Sequence, residues 1–225
     1  MDSGYNIKSV HDHIIRIRQR YLCDSSGKLL DHGFGNGVLS HYFIEEGFDV
    51  YGVELKAYSM LDYLFKKNLN NANFKLIDVN EKSIPFSDSF FNVVVSNQVL
   101  NFLPNREYID NVINEFMRIL KPGGKLVITV MSENHYFFLD YGIPPIPMQG
   151  NIRVKVRGRI ERDRIYYRFK DSEDLVSTLR NTGFLVDDIG YFDFKLLDVR
   201  CAKHYIILSR KPLADDLINN LKFKI

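Results

Sequence analysis

The sequence predicts an α/β fold in which a doubly wound, mostly parallel sheet of seven strands carries helices on both faces. Three observations indicate this fold. Short β-branched segments alternate with amphipathic helical segments along residues 28–131, as in strands joined by right-handed crossovers. A glycine-rich turn joins the first strand to the following helix. The last two strands have no helix between them, so we expect them to pair antiparallel at one edge of the sheet.

The strands are predicted from short apolar or alternating runs that turn residues bound. The fourth strand has the sequence FFNVVVS at residues 90–96. A continuous apolar run of this kind is typical of a strand buried on both faces. The predicted strands are residues 28–31, 49–55, 74–78, 90–96, 125–131, 184–192 and 204–210.

The helices are predicted from apolar residues at three- and four-residue spacings, and their ends from glycine and proline. Residues 106–120 place their apolar side chains on one side, and the run KPGG at residues 121–124 is expected to stop this helix before the next strand. Gly47 and Gly183 stand where C-terminal helix glycines belong. The predicted helices are residues 7–22, 38–46, 57–67, 106–120 and 172–181.

Length and composition indicate one globular domain. The chain has 225 residues, and we take residues 1–225 as a single domain with an N-terminal helical cap at 1–27 and a substrate-side insertion, or lid, at 132–170. Its two cysteines are too few for a disulfide framework or a zinc site. No apolar run has the length of a signal peptide core or a membrane span. We therefore expect a cytoplasmic protein.

The strongest feature is the sequence DHGFGNG at residues 31–37, directly after the first strand and directly before a helix. Gly33, Gly35 and Gly37 allow the backbone to turn sharply and to approach a ligand closely. The helix N-terminus adds free N–H groups. Because ligands of doubly wound sheets bind at the carboxyl ends of the strands, this turn is a candidate binding site. His32, inside it, is expected to face the sheet or solvent.

The spacing of this turn bears on the kind of ligand. A dinucleotide-binding turn has its third glycine one residue later, at the position of Val38, so the spacing disfavours NAD. The carboxylate of Asp31 would repel a pyrophosphate, but it can hold the ammonium of an amino-acid moiety. The sequence therefore favours a ligand that carries an amino acid.

Two further acids stand at the ends of neighbouring predicted strands. Glu54 ends the second strand, where a carboxylate can accept hydrogen bonds from both hydroxyls of a ribose. Asp78 ends the third strand, and with Val79 it is well placed for the amino group of an adenine. Together with Asp31, these acids predict a cradle for a nucleoside that carries an amino acid.

Four segments in this order resemble the class I S-adenosylmethionine (SAM)-dependent methyltransferases, and most closely the branch that methylates small molecules. They are DHGFGNG, VYGVEL, LIDVNEKSIPFSDSFFNVVVSNQVLNFLP and EFMRILKPGGKLVITV. The resemblance covers residues 28–131 well and 171–210 more loosely. It implies a Rossmann-like sheet with the strand order 3-2-1-4-5-7-6, in which the last strand is antiparallel.

The resemblance also implies the roles of individual residues toward SAM. Asp31 and the three glycines of the turn would hold the methionine part, and Glu54 the ribose. Leu55, Asp78 and Val79 would surround the adenine. Asn97 and Gln98, after the fourth strand, would lie beside the cofactor.

The sequence departs from the family after the fourth strand. Many relatives have a histidine in the helix that follows, whereas residues 98–103 here read QVLNFL, so a base in that helix is in doubt. Neither Ser96 nor Asn97 is acidic, which argues against a metal-assisted reaction, and no metal is expected. We take His135 as the candidate general base and Tyr136 as the residue that orients the acceptor, with His13 and His11 as rivals for the base.

A basic segment follows the fifth strand. Residues 153–170 hold eight Lys or Arg against two acids, a local balance of +6, whereas the whole chain has a net charge of +2. Basic and apolar residues alternate from residue 153 to 157, so a strand would present positive charge on one face. We expect Arg157 and Arg159 to bind an anionic acceptor, such as a phosphorylated or nucleotide-linked metabolite. A solvated edge strand is the competing interpretation.

These observations predict an enzyme that transfers the methyl group of SAM to oxygen or nitrogen of a small, anionic metabolite. Two alternatives stay open: an RNA methyltransferase, which the small net charge and the lack of an appended module disfavour, and a SAM-binding partner protein without turnover. An NAD oxidoreductase is a more distant fourth. We expect neither a membrane nor a nucleic-acid partner. The sequence fixes no oligomeric state, and a homodimer stays open.

Overall fold

The structure, a computed structural model of the chain, describes residues 7–55, 73–78, 81, 83–156, 162–193 and 202–216. Nine strands and five α-helices lie wholly in these ranges, and residues 214–216 are also helical. The strands are β1 (Lys28–His32), β2 (Asp49–Leu55), β3 (Phe74–Ile77), β4 (Phe91–Asn97), β5 (Leu120–Met131), β6 (Gly150–Val156), β7 (Arg162–Arg168), β8 (Leu185–Phe192) and β9 (His204–Arg210). The helices are α1 (Ile7–Arg20), α2 (Val38–Glu45), α3 (Arg106–Ile119), α4 (Tyr136–Tyr141) and α5 (Ser172–Thr182), with a short 3-10 helix at Leu100–Phe102.

Seven of these strands form one sheet in the order β3-β2-β1-β4-β5-β9-β8. The first five in this order are parallel neighbours, and β9 is antiparallel to both β5 and β8. Because β8 and β9 are the sixth and seventh predicted strands, the predicted fold, strand order and antiparallel edge are confirmed. The predicted helix at 57–67 lies outside the described residues.

Alternate residues of the central strands bury opposite faces of the sheet. Leu29 belongs to a core with Phe43 of α2 and Ile14 of α1, whereas its neighbour Leu30 belongs to a core with Phe116 of α3. Successive side chains of a strand point to opposite faces, so two adjacent apolar residues in β1 require cover on both sides. The helices supply this cover, and it makes the sheet doubly wound.

The junction between α3 and β5 differs from the expected turn. The helix ends at Ile119, and Leu120 already pairs with Phe91 of β4. The glycines at 123 and 124 lie inside β5 as a local irregularity, where Gly123 has a φ of +74° and its N–H bonds to the carbonyl of Lys211. The run KPGG therefore ends the helix, but the chain enters the sheet before the run rather than after it.

The insertion between β5 and α5 is a short helix followed by a hairpin of β6 and β7. The hairpin shows the alternation expected from the sequence, since Ile152 and Val154 are buried and Arg153 is exposed. Ile152, Val154 and Tyr166 pack in one cluster with Met131 and Phe138. These contacts hold the insertion against the end of β5, beside the carboxyl ends of the parallel strands.

None of the helices in the described ranges combines the length and the apolar character needed to cross a lipid bilayer. The cytoplasmic location expected from the sequence stays a prediction.

Candidate active site

The glycine turn between β1 and α2 needs glycine at its bends. Gly33, Gly35 and Gly37 all have positive φ values, of +73°, +53° and +73°, a region that residues with a Cβ adopt at a cost. A Cβ on Gly33 would also lie 2.4 Å from Cγ2 of Val99. The Gly33 N–H bonds to the Val53 carbonyl at 2.8 Å, so the turn is tied to the end of β2.

Glu54 joins the end of β2 to this turn. Its Oε2 accepts a hydrogen bond from the N–H of Gly35 at 3.0 Å, and its Oε1 accepts one from the N–H of Leu55 at 2.7 Å. Burial raises the pKa of the Glu54 carboxyl, and the two backbone donors oppose this rise. The carboxylate is therefore fixed at the mouth of the turn, and each oxygen keeps lone pairs for a ligand.

A cleft of about 300 Å³ opens at the carboxyl ends of β1 to β4, at the edge where the sequence places the site. Its apolar lining is Val53, Leu55, Ile77, Ile84, Val99, Phe102, Leu103, Tyr108 and Val112. Its polar lining is His32, Glu54, Glu81, Ser83, Asn97, Gln98, Asn111, Glu115 and Arg164, with Gly33 and Gly35 in the floor. The lining thus includes six residues expected at the cofactor: Gly33, Gly35, Glu54, Leu55, Asn97 and Gln98.

Asp31 does not line this cleft. Its side chain is 1% exposed, and Oδ2 accepts a hydrogen bond from the Ser40 hydroxyl of α2 at 2.6 Å. Burial raises the pKa of the Asp31 carboxyl to about 7, against the opposing effect of the Ser40 hydrogen bond. In this geometry Asp31 anchors α2 to β1, which does not support the predicted direct contact with an ammonium.

At the end of β3, a different acid from the expected one faces the cleft. Asp78 and Glu81 are both exposed, and of the two it is Glu81 that lines the cleft. The two residues close a turn, because the Asp78 N–H bonds to Oε1 of Glu81 and the Glu81 N–H bonds to the Asp78 carbonyl, both at 3.0 Å. The role expected of Asp78 at the adenine stays a prediction, with Glu81 as a second candidate acid, and Val79 lies outside the described residues. The sequence signal for Glu81 is an acid three residues after a strand-end Asp.

His32 lines the cleft, contrary to the expectation that it faces the sheet or solvent. Its Nδ1 lies 3.1 Å from the hydroxyl of Ser96, the residue beside it in the β1–β4 pairing. Burial lowers the pKa of the His32 imidazole to about 4. His32 is therefore neutral at physiological pH.

His135 lies outside the cleft lining, and its geometry does not support the predicted role of general base. It caps the N-terminus of α4, where its Nδ1 accepts a hydrogen bond from the N–H of Phe137 at 3.2 Å. The ring is buried against that of His204, with 4.9 Å between centroids, and Tyr136 stacks on its other side at 4.7 Å. Burial, followed by the nearby His204, lowers its pKa to about 3. His135 and Tyr136 thus begin a helix of the insertion.

The rival histidines lie on α1. The side chain of His11 is outside the described residues, whereas His13 is buried with Nε2 at 3.2 Å from Oδ1 of Asn97. Its ring stacks on Phe192 of β8, with centroids 4.0 Å apart. Of these histidines, His13 is the one that touches a residue of the cleft.

The basic segment contributes one described residue to the cleft. Arg164 of β7 lines it and is otherwise exposed, while Arg168 donates hydrogen bonds to the carbonyls of Glu133 and Pro147 and supports the fold. Arg157 and Arg159, expected to bind the substrate, lie outside the described residues. Arg164 is thus the basic side chain that lines the cleft among the described residues.

Comparison with known proteins agrees with this geometry. Residues 30–128 match a family model described as a methyltransferase domain. The ubiquinone/menaquinone biosynthesis C-methyltransferase UbiE of Haemophilus ducreyi is 26% identical over 207 residues, which cover 80% of this chain and 74% of that protein.

Two solved structures are similar in fold. A SAM-dependent methyltransferase from Methanosarcina mazei has a TM-score of 0.68 and 21% identity, covering 83% of this chain and 92% of that chain. The 1,6-didemethyltoxoflavin-N1-methyltransferase of Burkholderia thailandensis, with 1,6-didemethyltoxoflavin and S-adenosylhomocysteine bound, has a TM-score of 0.66 and 17% identity. It covers 93% of this chain and 83% of that chain. At these identities, the likeness shows the fold.

The matched domain spans the glycine turn, Glu54 and the end of β4, which makes the class plain: the protein is a SAM-dependent methyltransferase. Its sequence and fold resemble those of the class I enzymes, as predicted, and its cofactor is SAM.

Proposed function

We propose that this enzyme transfers the methyl group of SAM to a ring carbon of a flat, largely apolar acceptor of the quinol type. One observation carries the proposal. Apolar and polar side chains line the cleft in equal number, but most of its exposed surface is apolar. Phe102 extends this apolar surface to the aromatic cluster of the insertion, where its ring lies 5.0 Å from that of Tyr166. The C-methyltransferase named for ubiquinone and menaquinone biosynthesis, which resembles this chain over most of its length, supports the same acceptor class.

The residues at the cofactor end fit SAM. A Cβ built on Gly35 meets no atom nearer than the Gly33 carbonyl oxygen at 4.0 Å, so the turn leaves space where the methionine part would pass. Both oxygens of Glu54 are held by backbone donors and would accept the ribose hydroxyls. Leu55 and Ile77 would flank the adenine, with Glu81 toward its amino group.

The reaction needs placement more than acid–base chemistry. When bound, SAM supplies a methyl carbon activated by its sulfonium, which an electron-rich ring carbon takes up to leave S-adenosylhomocysteine. The ring proton is then lost to water. An ionised hydroxyl on the ring raises the electron density of the neighbouring carbon, and the Arg164 guanidinium would stabilise the negative charge on that oxygen. Phe102 would hold the ring plane by stacking.

Arg164 also favours a second candidate, the anionic acceptor expected from the sequence. A guanidinium at a cleft can bind a carboxylate or phosphate in a bidentate manner. The cleft carries Glu54, Glu81 and Glu115 as well, so an anionic group would be tolerated only beside Arg164. An acceptor with one anionic substituent is therefore the alternative to a neutral quinol.

A labelled-methyl assay with a panel of acceptors tests both candidates. The panel contains 1,4-naphthoquinol and 1,4-benzoquinol kept reduced under nitrogen, their dimethyl ethers, 4-hydroxybenzoate and phenyl phosphate. We expect turnover on the quinols, with the label on a ring carbon by NMR, and none on the ethers. Labelling of the carboxylated or phosphorylated compounds alone would replace the quinol by the anionic acceptor.

A matched pair of variants tests the role of Arg164. Arg164→Gln is expected to lower kcat/KM for the quinol by about tenfold, the factor for one hydrogen bond to a charged group, with the affinity for S-adenosylhomocysteine unchanged. Arg153→Gln changes an exposed arginine of the same hairpin and is expected to leave both unchanged. Equal effects of the two variants would remove Arg164 from the acceptor site.

A further inference from the structure

The hydroxyl of Thr129 fixes which way the side-chain amide of Asn97 points. Thr129 is fully buried in β5, and its Oγ1 accepts a hydrogen bond from the Gln98 N–H at 2.9 Å. Among the described residues, the one acceptor for the Thr129 hydroxyl proton is Oδ1 of Asn97, at 2.7 Å. Most buried hydroxyls donate their proton in a hydrogen bond, and here the geometry provides the acceptor. The oxygen of the Asn97 amide therefore faces Thr129, and the NH₂ group does not.

His13 supplies the second donor to the same oxygen. Its Nε2 lies 3.2 Å from Oδ1 of Asn97. Since that oxygen is the acceptor, Nε2 carries the proton. The imidazole is held in place by its stack on Phe192, which in turn stacks on His204 at 4.8 Å. Helix α1 thus supplies the donor to Oδ1 of Asn97, and strand β8 supplies the ring that holds this donor in place.

With both lone pairs of Oδ1 occupied, the two hydrogens of Nδ2 are left for the cleft that Asn97 lines. Across the described part of the chain, no protein acceptor lies within hydrogen-bond distance of Nδ2. Asn97 follows Ser96, which pairs with His32. Nδ2 therefore lies beside the turn at Gly33, where the amino-acid part of SAM is proposed to bind.

We infer that Asn97 Nδ2 donates a hydrogen bond to the carboxylate of the cofactor's amino-acid part, and that His13 is a positioning residue that locks the Asn97 amide in this orientation. The inference rests on the proposed placement of SAM, but not on the identity of the methyl acceptor. It gives the N-terminal helix a role in cofactor binding besides covering the sheet.

The direct test is Asn97→Asp, measured by calorimetry with two ligands. The aspartate still accepts from Thr129 and His13, so the network and the fold are kept, but it presents a carboxylate where a donor is needed. S-Adenosylhomocysteine has the amino-acid part, and 5′-methylthioadenosine has the nucleoside without it. We expect the first to bind about tenfold to a hundredfold more weakly, the range for a hydrogen bond to a charged group, and the second to bind as in the wild type. Asn114→Asp, at an exposed position of α3, is the matched control and leaves both affinities unchanged.

Two substitutions of His13 separate positioning from packing. His13→Phe keeps a ring stacked on Phe192 but has no side-chain N–H. It is expected to lower the affinity for S-adenosylhomocysteine by about threefold to tenfold, as for one lost neutral hydrogen bond. His13→Gln has no ring, but its amide can donate to Oδ1 of Asn97, and it is expected to retain most of the affinity. If His13 only packed against Phe192, His13→Phe would keep more affinity than His13→Gln.

Each remaining outcome overturns the inference. Equal weakening of both ligands by Asn97→Asp would indicate a general disturbance of the cleft. Unchanged binding of both ligands would mean that Nδ2 does not contact the carboxylate. If only methyl transfer were lost, Nδ2 would instead donate its hydrogen bond to the methyl acceptor. Failure of the quinol panel affects none of these binding measurements, so it tests the proposed function separately.

Discussion

The carboxylate of Glu54 accepts a hydrogen bond from the backbone N–H of Gly35, with 3.0 Å between Oε2 and the nitrogen. The acid at the end of one strand is thereby fixed to the turn that follows its neighbour. Because the turn has positive φ values at its glycines, it relies on such contacts to keep its shape. The residues proposed to bind the ribose and the methionine part of SAM are therefore joined by a direct hydrogen bond.

Glu54→Gln is expected to lower the affinity for S-adenosylhomocysteine by about tenfold to a hundredfold, since an amide replaces a charged hydrogen-bond acceptor. The loss should extend equally to 5′-methylthioadenosine, which keeps the ribose, and this distinguishes it from Asn97→Asp. Calorimetry with both ligands measures the effect. Glu45→Gln, at an exposed acid of α2, is the control, and a similar loss there would argue for a long-range charge effect.

Gly33→Ala and Gly35→Ala are expected to fail in different ways. At Gly33 a methyl group meets Val99 at 2.4 Å, so the free energy of unfolding should fall by more than about 2 kcal/mol, given a left-handed residue and an added clash. At Gly35 the methyl points into open space, and the cost should be about 1–2 kcal/mol for the conformation alone.

The affinity for S-adenosylhomocysteine separates these variants further, because the Gly35→Ala methyl occupies the binding space and should abolish binding to a folded protein. Gly190→Ala in β8 is the control, since a Cβ added at Gly190 would have no atom within 4 Å and the φ of this residue is not in the positive region. Urea denaturation and calorimetry measure the two quantities. A Gly35→Ala variant that binds normally would place the cofactor elsewhere.

The cofactor end of the cleft could be predicted from sequence because its geometry is set by regular elements. The glycines of the turn, Glu54 and Asn97 directly follow or end parallel strands, and the carboxyl ends of such strands meet at one edge. Periodicity did not predict Glu81, because the chain after β3 folds back in a turn that brings Glu81, rather than Asp78, to the cleft. The conformation of an irregular segment depends on contacts that strand periodicity does not contain.

The acceptor side was harder to predict for a related reason. His135 comes soon after β5, where a catalytic base is plausible, but a histidine can equally cap a helix, and α4 has only six residues to reveal its period. His13 and Asn97 are 84 positions apart. No local pattern connects them, so their contact follows only from the packing of α1 over the strand ends.

Asp31→Asn is expected to raise the free energy of unfolding at pH 8 by about 2–4 kcal/mol, from the size of the pKa shift. The folded pKa of about 7 lies above the ordinary 3.8 because the carboxyl is buried, so ionisation of Asp31 destabilises the folded state above pH 7. This cost shrinks as the pH falls from about 7 toward 3.8. Denaturation at pH 8 and pH 5 should show a smaller difference between variant and wild type at pH 5, and a constant difference would contradict the raised pKa.

The buried histidines have the opposite pH dependence. Burial lowers the pKa values of His32 and His204 to about 4 and that of His135 to about 3. Their stabilising contribution is complete above about pH 6.5, and it is lost as the pH falls below that value, because the unfolded state binds protons first.

His135→Asn isolates one of these groups. Asparagine can accept the hydrogen bond from the Phe137 N–H, and it does not titrate. Between pH 7.5 and pH 5, the free energy of unfolding of the variant should therefore fall by about 2 kcal/mol less than that of the wild type. Its methyl-transfer rate should stay near that of the wild type, because His135 does not line the cleft. An abolished rate in a folded variant would return His135 to the chemistry.

The stacking of His13 on Phe192 has a consequence for the order in which the enzyme matures on the ribosome. Helix α1 leaves the exit tunnel before β8 and β9, but its docking surface is completed only when these two strands have been made. Until then, the Asn97 amide lacks one of its two fixed partners. A nascent chain stalled before β8 should therefore already contain the glycine turn and Glu54, yet retain a ligand with an amino-acid tail less well than the finished protein.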